Sequence, residues 1–445
     1  MNANRFLKNR EPGNWWARIL DSHNQQRLAK LALAVSDQLL FSGSNFVVSV
    51  LLGRWMLSNN YGAFTYAYSI LLLLASFHNA LLLEPFTILG SAEYRHSLKT
   101  YTQRIARLQL HWMVVVSGLS LPVGAIVWLA GNRALGEALL GLALAQGAIL
   151  YFWYVRRKWY VVQRIGHAVI GTTVYAGVQI VAVYALHRAS VLTPFSALAA
   201  IGVAGAIAGV IGQIAQLEDE QEPAPIRLAQ VVRENWAYGK WVMLAGVLFW
   251  LTNQSYNILT GSLLGLTDTG GLKAMQNLIN PVTQLLTAFN LVFLPWVTRR
   301  HAERGERVLY RDLILYTILS SGCAAVYWLA LSLFGMPIFD LLYDGRYGEY
   351  VHLLPYLALL PVITALTASW TIGLRVLRQT QLLFWVDSAG AAFTITIGVL
   401  LVAQFGLSGA IAGTVISSAS RVPVLVHLWR RAPKTGNHDP EVAKQ

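Results

Sequence analysis

Stretches of about 20 mostly apolar residues recur along this chain, and nothing else limits its fold so sharply. A bilayer-spanning helix needs about 20 such residues, because the hydrocarbon core is about 30 Å thick. Only 12% of the residues are charged, about half the share of a soluble domain, and no charge-rich region is long enough to fold as a separate soluble unit. Backbone polar groups in lipid must be paired within the chain, so the runs read as helices or as strands of a closed barrel. Barrel strands alternate apolar and polar residues over about ten positions. The run 197–214 does not alternate. The expectation is an all-α polytopic membrane protein.

Turn and charge punctuation divides the chain into about twelve spans, near 33–54, 62–84, 108–130, 135–155, 167–187, 193–214, 239–260, 275–297, 312–334, 351–374, 381–402 and 406–428. Sorting the 34 Lys and Arg by the side this numbering implies leaves all but Arg54, Arg133, Arg188, Lys273 and Arg346 on one side. Basic residues resist translocation, so that side reads as cytoplasmic and both termini are expected there. A wrong span count would scramble the split, and the net charge of +13 therefore reads as topology, not nucleic-acid binding. Residues 1–30 carry six basic residues together with Trp15, Trp16, Ile19 and Leu20. They read as a basic interfacial arm, since a cleavable signal would place its apolar stretch earlier. Cys323 has no partner for an intrachain disulfide, no Cys/His cluster has metal spacing, and no cofactor is expected.

The chain also repeats itself. Gly202-Val-Ala-Gly-Ala-Ile-Ala-Gly209 matches Gly406-Leu-Ser-Gly-Ala-Ile-Ala-Gly413. Leu51-Leu52-Gly53 matches Leu263-Leu264-Gly265, and Phe77-His78-Asn79 with Pro85 parallels Phe289-Asn290 with Pro295. Four matches in one order at nearly constant offset mark a duplicated six-span unit. An even number of spans inserts both copies in the same direction, with a site expected between them. The expected division is a six-helix lobe over 31–215, a linker over 216–238 and a second lobe over 239–431, followed by a tail over 432–445. The linker combines the acidic run Glu218–Glu222, Pro223 and Pro225 with an amphipathic piece, Ile226–Trp236.

Against that background, particular residues resemble a known family. Ser42-Gly43-Ser44-Asn45, Leu51-Leu52-Gly53-Arg54 and Tyr61-Gly62-Ala63-Phe64 resemble the first-span signature of polysaccharide flippases of the multidrug/oligosaccharidyl-lipid/polysaccharide exporter superfamily. Glu84-Pro85, Arg156-Arg157-Lys158 and the glycine-rich sixth and twelfth spans are also similar. The resemblance covers essentially the whole chain. It implies transfer of a polyprenyl-diphosphate-linked oligosaccharide, an O-antigen or exopolysaccharide unit, across the inner membrane. Polysaccharide-assembly proteins would be its neighbours. Relatives that flip the peptidoglycan precursor usually carry two further spans, which reads against a cell-wall-precursor role.

Polar residues inside spans normally face a hydrated interior, because exposing them to lipid is costly. They concentrate here in equivalent spans of the two halves: Asp37, Gln38 and Asn45 in the first, Asn253 and Asn257 in the seventh, Asn79 and Glu84 in the second, Asn290 in the eighth. Helix-to-helix hydrogen bonding is the competing role for any one of them. Asp37, Glu84 and Asp387, with Arg375, lie near the basic side and are expected to form an ion-pair gate or a proton or sodium site. A cation-coupled drug extruder of the same superfamily is the alternative, and it would need an acidic, aromatic cavity. A membrane polymerase or acyltransferase is a third reading, but the loop 337–351 offers Asp340, Asp344 and Glu349 without a catalytic pairing. No Gly-x-x-x-x-Gly-Lys-Ser/Thr loop is present, so the driving force is expected from an ion or substrate gradient.

Overall fold

The computed structural model describes residues 22–214, 226–377 and 379–431. Most of the basic arm, the acidic run Glu218–Glu222, Arg378 and the tail lie outside them. The described residues are helical throughout, with no strand. The first half contains α1 (Ser22–Trp55), α2 (Ser58–Ser91), α3 (Leu98–Leu129), α4 (Arg133–Val161), α5 (Ile165–Arg188) and α6 (Pro194–Ile214). The second contains α7 (Leu228–Asn253), α8 (Ser255–Leu263), α9 (Leu266–Arg304), α10 (Glu306–Tyr343), α11 (Leu360–Val376), α12 (Thr380–Phe393), α13 (Val399–Ala419) and α14 (Arg421–Arg431).

Among the described residues nine stretches are long and apolar enough to cross a membrane. They map onto the twelve expected spans with two differences, each with a physical cause. The stretch Gln381–Arg430 holds two spans, which reverse direction at Gly406 inside α13. That residue has φ +59°, a conformation costly for any residue with a Cβ. The seventh and eighth spans, α7 with α8 and α9, fall short on hydropathy because they carry the polar side chains described below. The amphipathic segment assigned to the linker is the first part of α7, continuous with the seventh span. That span breaks at Gln254 before resuming as α8.

Small residues let helices within a lobe approach closely. A Cβ on Gly205 would lie 2.9 Å from the Ala148 carbonyl oxygen, and one on Gly202 would lie 2.8 Å from the Ala145 Cβ, so α6 rides directly on α4. Two further approaches join the lobes. A Cβ on Gly62 of α2 would sit 1.6 Å from the Leu266 carbonyl oxygen of α9, and one on Gly239 of α7 would sit 2.4 Å from that of Ala80. Only glycine fits at either point.

Candidate functional site

The lobes meet along two seams. One joins α2 to α7 and α8 over its whole length. Asn235 Nδ2 donates to the Leu81 carbonyl (3.0 Å) and Tyr238 Oη donates to Glu84 Oε1 (3.1 Å). Farther along, Trp250 Nε1 donates to the Ser69 carbonyl (2.9 Å), Asn257 Nδ2 donates to Ser69 Oγ (3.2 Å), and the hydroxyls of Tyr66 and Ser262 lie 3.1 Å apart. Beyond the basic end of α2, Tyr94 Oη donates to Glu234 of α7 (2.6 Å). Burial, and then donation to that carboxylate, pushes the Tyr94 phenol up to about 12.

The other seam sets α9 against the first part of α2 and against α1, and its α1–α9 part closes only at the end remote from the basic residues. Asn277 is the centre of a buried knot there. It accepts from Ser49 Oγ (3.0 Å), and its amide lies 2.9 Å from Tyr61 Oη and 3.0 Å from Tyr343 Oη. Arg346 donates to the Met56 carbonyl (2.6 Å) and Arg54 to that of Leu341 (2.9 Å). Toward the basic end the helices part. The inner half of α1 exposes Leu31, Leu39, Leu40 and Val47, and the second half of α9 exposes Leu285, Phe289 and Trp296. The change in α9 falls at Pro281, whose ring removes a turn-to-turn hydrogen bond.

The residues facing the resulting cleft follow from helix phase. On α9, Lys273, Gln276, Asn280, Gln284 and Thr287 recur at three- and four-residue intervals and are all accessible, while their neighbours over the first half of the helix are almost all buried. A row of that polarity does not face hydrocarbon. None of Lys273, Gln276, Asn280 and Gln284 has a hydrogen bond or ion pair among the described residues. On α1, Gln38, Ser42, Asn45 and Ser49 form a matching row, all half-buried. Gln38 Nε2 donates to Ser42 Oγ (3.1 Å), and Asn45 accepts from Tyr175 at 3.4 Å.

Asp37 lies just behind the α1 row and is fully buried. Arg156 of α4 donates to it through Nε (2.7 Å), Tyr160 Oη donates at 2.6 Å and Thr172 Oγ1 at 2.5 Å. The second arm of the same guanidinium reaches Gln38 Oε1 (3.0 Å), and its plane lies over Phe41 at 4.6 Å. The acid is thus neutralised inside its own lobe and ties α1 to α4 and α5. Next to it, Arg157 is half-buried and within electrostatic reach of Glu84 and Arg156, yet it forms no hydrogen bond or ion pair with a described residue. Arg157 and Lys273 are therefore two partly accessible cations with no counterion in contact among the described residues.

The remaining candidates fall elsewhere. Asn79 opens a π-helical turn in α2 and donates to Glu84 Oε2 at 3.4 Å, so both belong to the closed seam, as does Asn257. Asn253 donates back to the Phe249 carbonyl of its own helix (2.8 Å). Asn290 accepts from Tyr316 Oη (2.7 Å) and joins α9 to α10. Asp387 is bound by Arg421 of α14, and Arg375 lies within electrostatic reach of that pair. Sequence reasoning missed Arg156, which looked like one of three cytoplasmic basic residues, and Asp312, which is 3% exposed and held by Arg300 at 2.9 Å. It placed Lys273 on the side away from most basic residues, near the start of α9, without reading the row to which it belongs. The usable signal was phase: Lys273 shares the α9 row with Gln276, Asn280 and Gln284.

Comparison with known proteins agrees with this architecture. Residues 154–321 match the family model described as polysaccharide biosynthesis protein. Among solved structures, the fold is similar to the inward-facing conformation of a multidrug resistance MATE family transporter of the MOP superfamily. The TM-score is 0.68 at 13% identity, covering 90% of this chain and 96% of the other. It is similar also to the lipid II flippase MurJ in an inward closed conformation, with a TM-score of 0.66 at 11% identity, covering 91% and 87%. A mutant form of the Vibrio cholerae MATE transporter VcmN gives 0.57 at 12% identity, covering 93% and 97%. No curated protein matches the chain in sequence. The chain shares the two-lobe helical fold of these structures.

Proposed function

We propose that this membrane transporter moves a polyprenyl-diphosphate-linked oligosaccharide from the cytoplasmic to the outer leaflet by alternately opening the two ends of the α1–α9 seam. The observation that carries the reading is the charge of the cleft. Among the described residues Arg157 and Lys273 are partly accessible cations without an ion pair, and the deep acid of the first helix is already neutralised by Arg156. Such a surface attracts a diphosphate. The unbonded amides of Gln276, Asn280 and Gln284 suit a glycan, whose hydroxyls both donate and accept. The inner halves of α1 and α9 expose apolar side chains, Leu39 and Leu40 on one and Leu285 and Phe289 on the other. A prenyl tail can remain in lipid there while its head is in water.

In this reading the basic end is cytoplasmic, the lobes span 31–215 and 239–431, and the membrane is the inner one. The glycan would be an O-antigen or exopolysaccharide unit delivered to polysaccharide-assembly proteins. A proton or sodium ion entering at Glu84, whose partners Asn79 and Tyr238 are neutral, would supply coupling. Extrusion of cationic drugs needs an uncompensated acid in the cleft, and Asp37 does not provide one.

The test is transfer of a fluorescent polyprenyl-diphosphate oligosaccharide in proteoliposomes. The native chain is expected to transfer it, and Lys273→Gln to do so about tenfold more slowly, the loss of one hydrogen bond to a charged group. Transport of a cationic dye in its place, with Lys273→Gln unaffected, would overturn the reading.

A further inference from the structure

The second lobe carries a cavity of about 550 Å³ between α10, α11 and α14, remote from the cleft. Its size lies within the ~300–1,000 Å³ range of ligand sites. Thr317 and Thr367 lie among its lining residues, and the lining residues Leu366 and Val426 are exposed. Apolar exposed flanks distinguish it from the polar cleft and turn it toward the bilayer. Near the basic end it is lined by Trp370, Trp429 and Arg430. Trp429 stacks edge-on against Trp370 at 5.1 Å and seats over Gly373, where a Cβ would lie 2.6 Å from the ring. Its indole Nε1 is buried with no hydrogen-bond partner.

The first lobe has its counterpart helices pressed together. There Gly202 and Gly205 bring α6 onto α4. Of the matching glycines of the twelfth span, Gly406 has nothing within 4 Å of a built Cβ and Gly409 meets the Leu401 carbonyl oxygen instead. The last helix meets α11 through Trp429 and Leu425, beside the furrow.

We propose that this furrow is a binding site for an anionic phospholipid of the surrounding membrane, with an acyl chain along Leu366, Val422 and Val426 and its phosphate at Trp429 Nε1 and Arg430. The chemistry is complementary on both counts. Basic residues and indole N–H groups at a membrane interface both favour phosphate, and the furrow supplies apolar wall below them. Arg307 and Arg311 on α10 lie at the same end; Asp312 is shared between Arg300 at 2.9 Å and Arg311 at 3.8 Å, two cations to one acid. The inference rests on membrane placement of the helices and not on the identity of the transported substrate.

Native mass spectrometry of the full chain, released from mixed phosphatidylglycerol and phosphatidylcholine, tests it. One phosphatidylglycerol is expected to stay bound in preference to phosphatidylcholine. Arg430→Gln is expected to lower that preference about fivefold, and Trp429→Phe to lower it while keeping the ring. Leu366→Trp should fill the furrow and abolish retention. Leu366 is exposed, so an unchanged melting temperature and elution profile will show that this variant is folded. Equal retention of both lipids, or equal retention by Leu366→Trp and the native chain, would overturn the proposal. So would displacement of the phospholipid by polyprenyl phosphate, which would assign the furrow to the substrate's tail. Lipid retention and glycolipid transfer are separate readouts, so either proposal can fail without the other.

Discussion

The two seams between the lobes are built from the same materials and behave as different devices. Both use side-chain amides, tyrosines and serines across the lobe boundary, and α2 meets both α7 and α9 through a glycine against a carbonyl oxygen. The α2–α7/α8 seam carries such contacts from one end to the other. The α1–α9 seam concentrates them at one end, around Asn277, and leaves its other end open. A continuous seam resists separation and serves as an axis. A seam closed at one end can exchange that closure for closure at the other, which is what alternating access requires.

Cross-linking breaks or sharpens this contrast most strongly. With Cys323→Ser as background, a disulfide between Ser49→Cys and Asn277→Cys should abolish transport, because it fixes the far end shut. A disulfide between Ser69→Cys and Asn257→Cys, in the continuous seam, should leave most transport intact. Equal inhibition by both would erase the distinction.

Next in size is the buried ion pair behind the open seam. Asp37→Ala leaves Arg156 uncompensated and should destabilise the first lobe by about 3–5 kcal/mol, read as a large fall in melting temperature. Asp37→Asn combined with Arg156→Gln should recover much of it, as removal of both charges leaves amides that can bond each other. If the double variant is no better than Asp37→Ala, the pair is not a simple staple.

Smaller is the cost of crowding the closed contacts. Gly62→Ala and Gly239→Ala should each cost about 1–3 kcal/mol, with Gly62→Ala the worse since its new methyl would overlap the Leu266 carbonyl. The smallest effect concerns Tyr94. Its phenol is raised from the ordinary value of 10.0 to about 12, so the contribution is fully present below pH 10 and is lost as pH rises toward 12. Tyr94→Phe should remove that alkaline loss from a melting-temperature profile.

Much of this was legible in the sequence, and the limits are instructive. Twelve spans could be counted because hydropathy and the distribution of Lys and Arg gave one consistent answer. The polar seventh and eighth spans were included only on that wider pattern, since alone they are too polar to qualify. The enrichment of amides and acids in the first, second, seventh and eighth spans pointed to those helices as the place to look for a site between the halves. It did not tell a cleft-facing amide from a bonded one. Asn277 and Asn290 are engaged by tyrosines from other helices, whereas Asn280 and Gln284, a few residues away, are not. That distinction depends on partners distant in sequence. Asp37 looked available for an ion for the same reason, its neutralising arginine lying 119 residues away.

The central claim is that the open end of the α1–α9 seam closes when the far end opens. Spin labels at Leu39→Cys and Phe289→Cys, on the diverging inner halves, measure it directly by electron–electron distance in lipid nanodiscs. Addition of the polyprenyl-diphosphate oligosaccharide should move population from a long to a distinctly shorter distance, and the Ser49–Asn277 disulfide should prevent that shift. A single distance, unchanged by substrate and by the disulfide, would contradict the account.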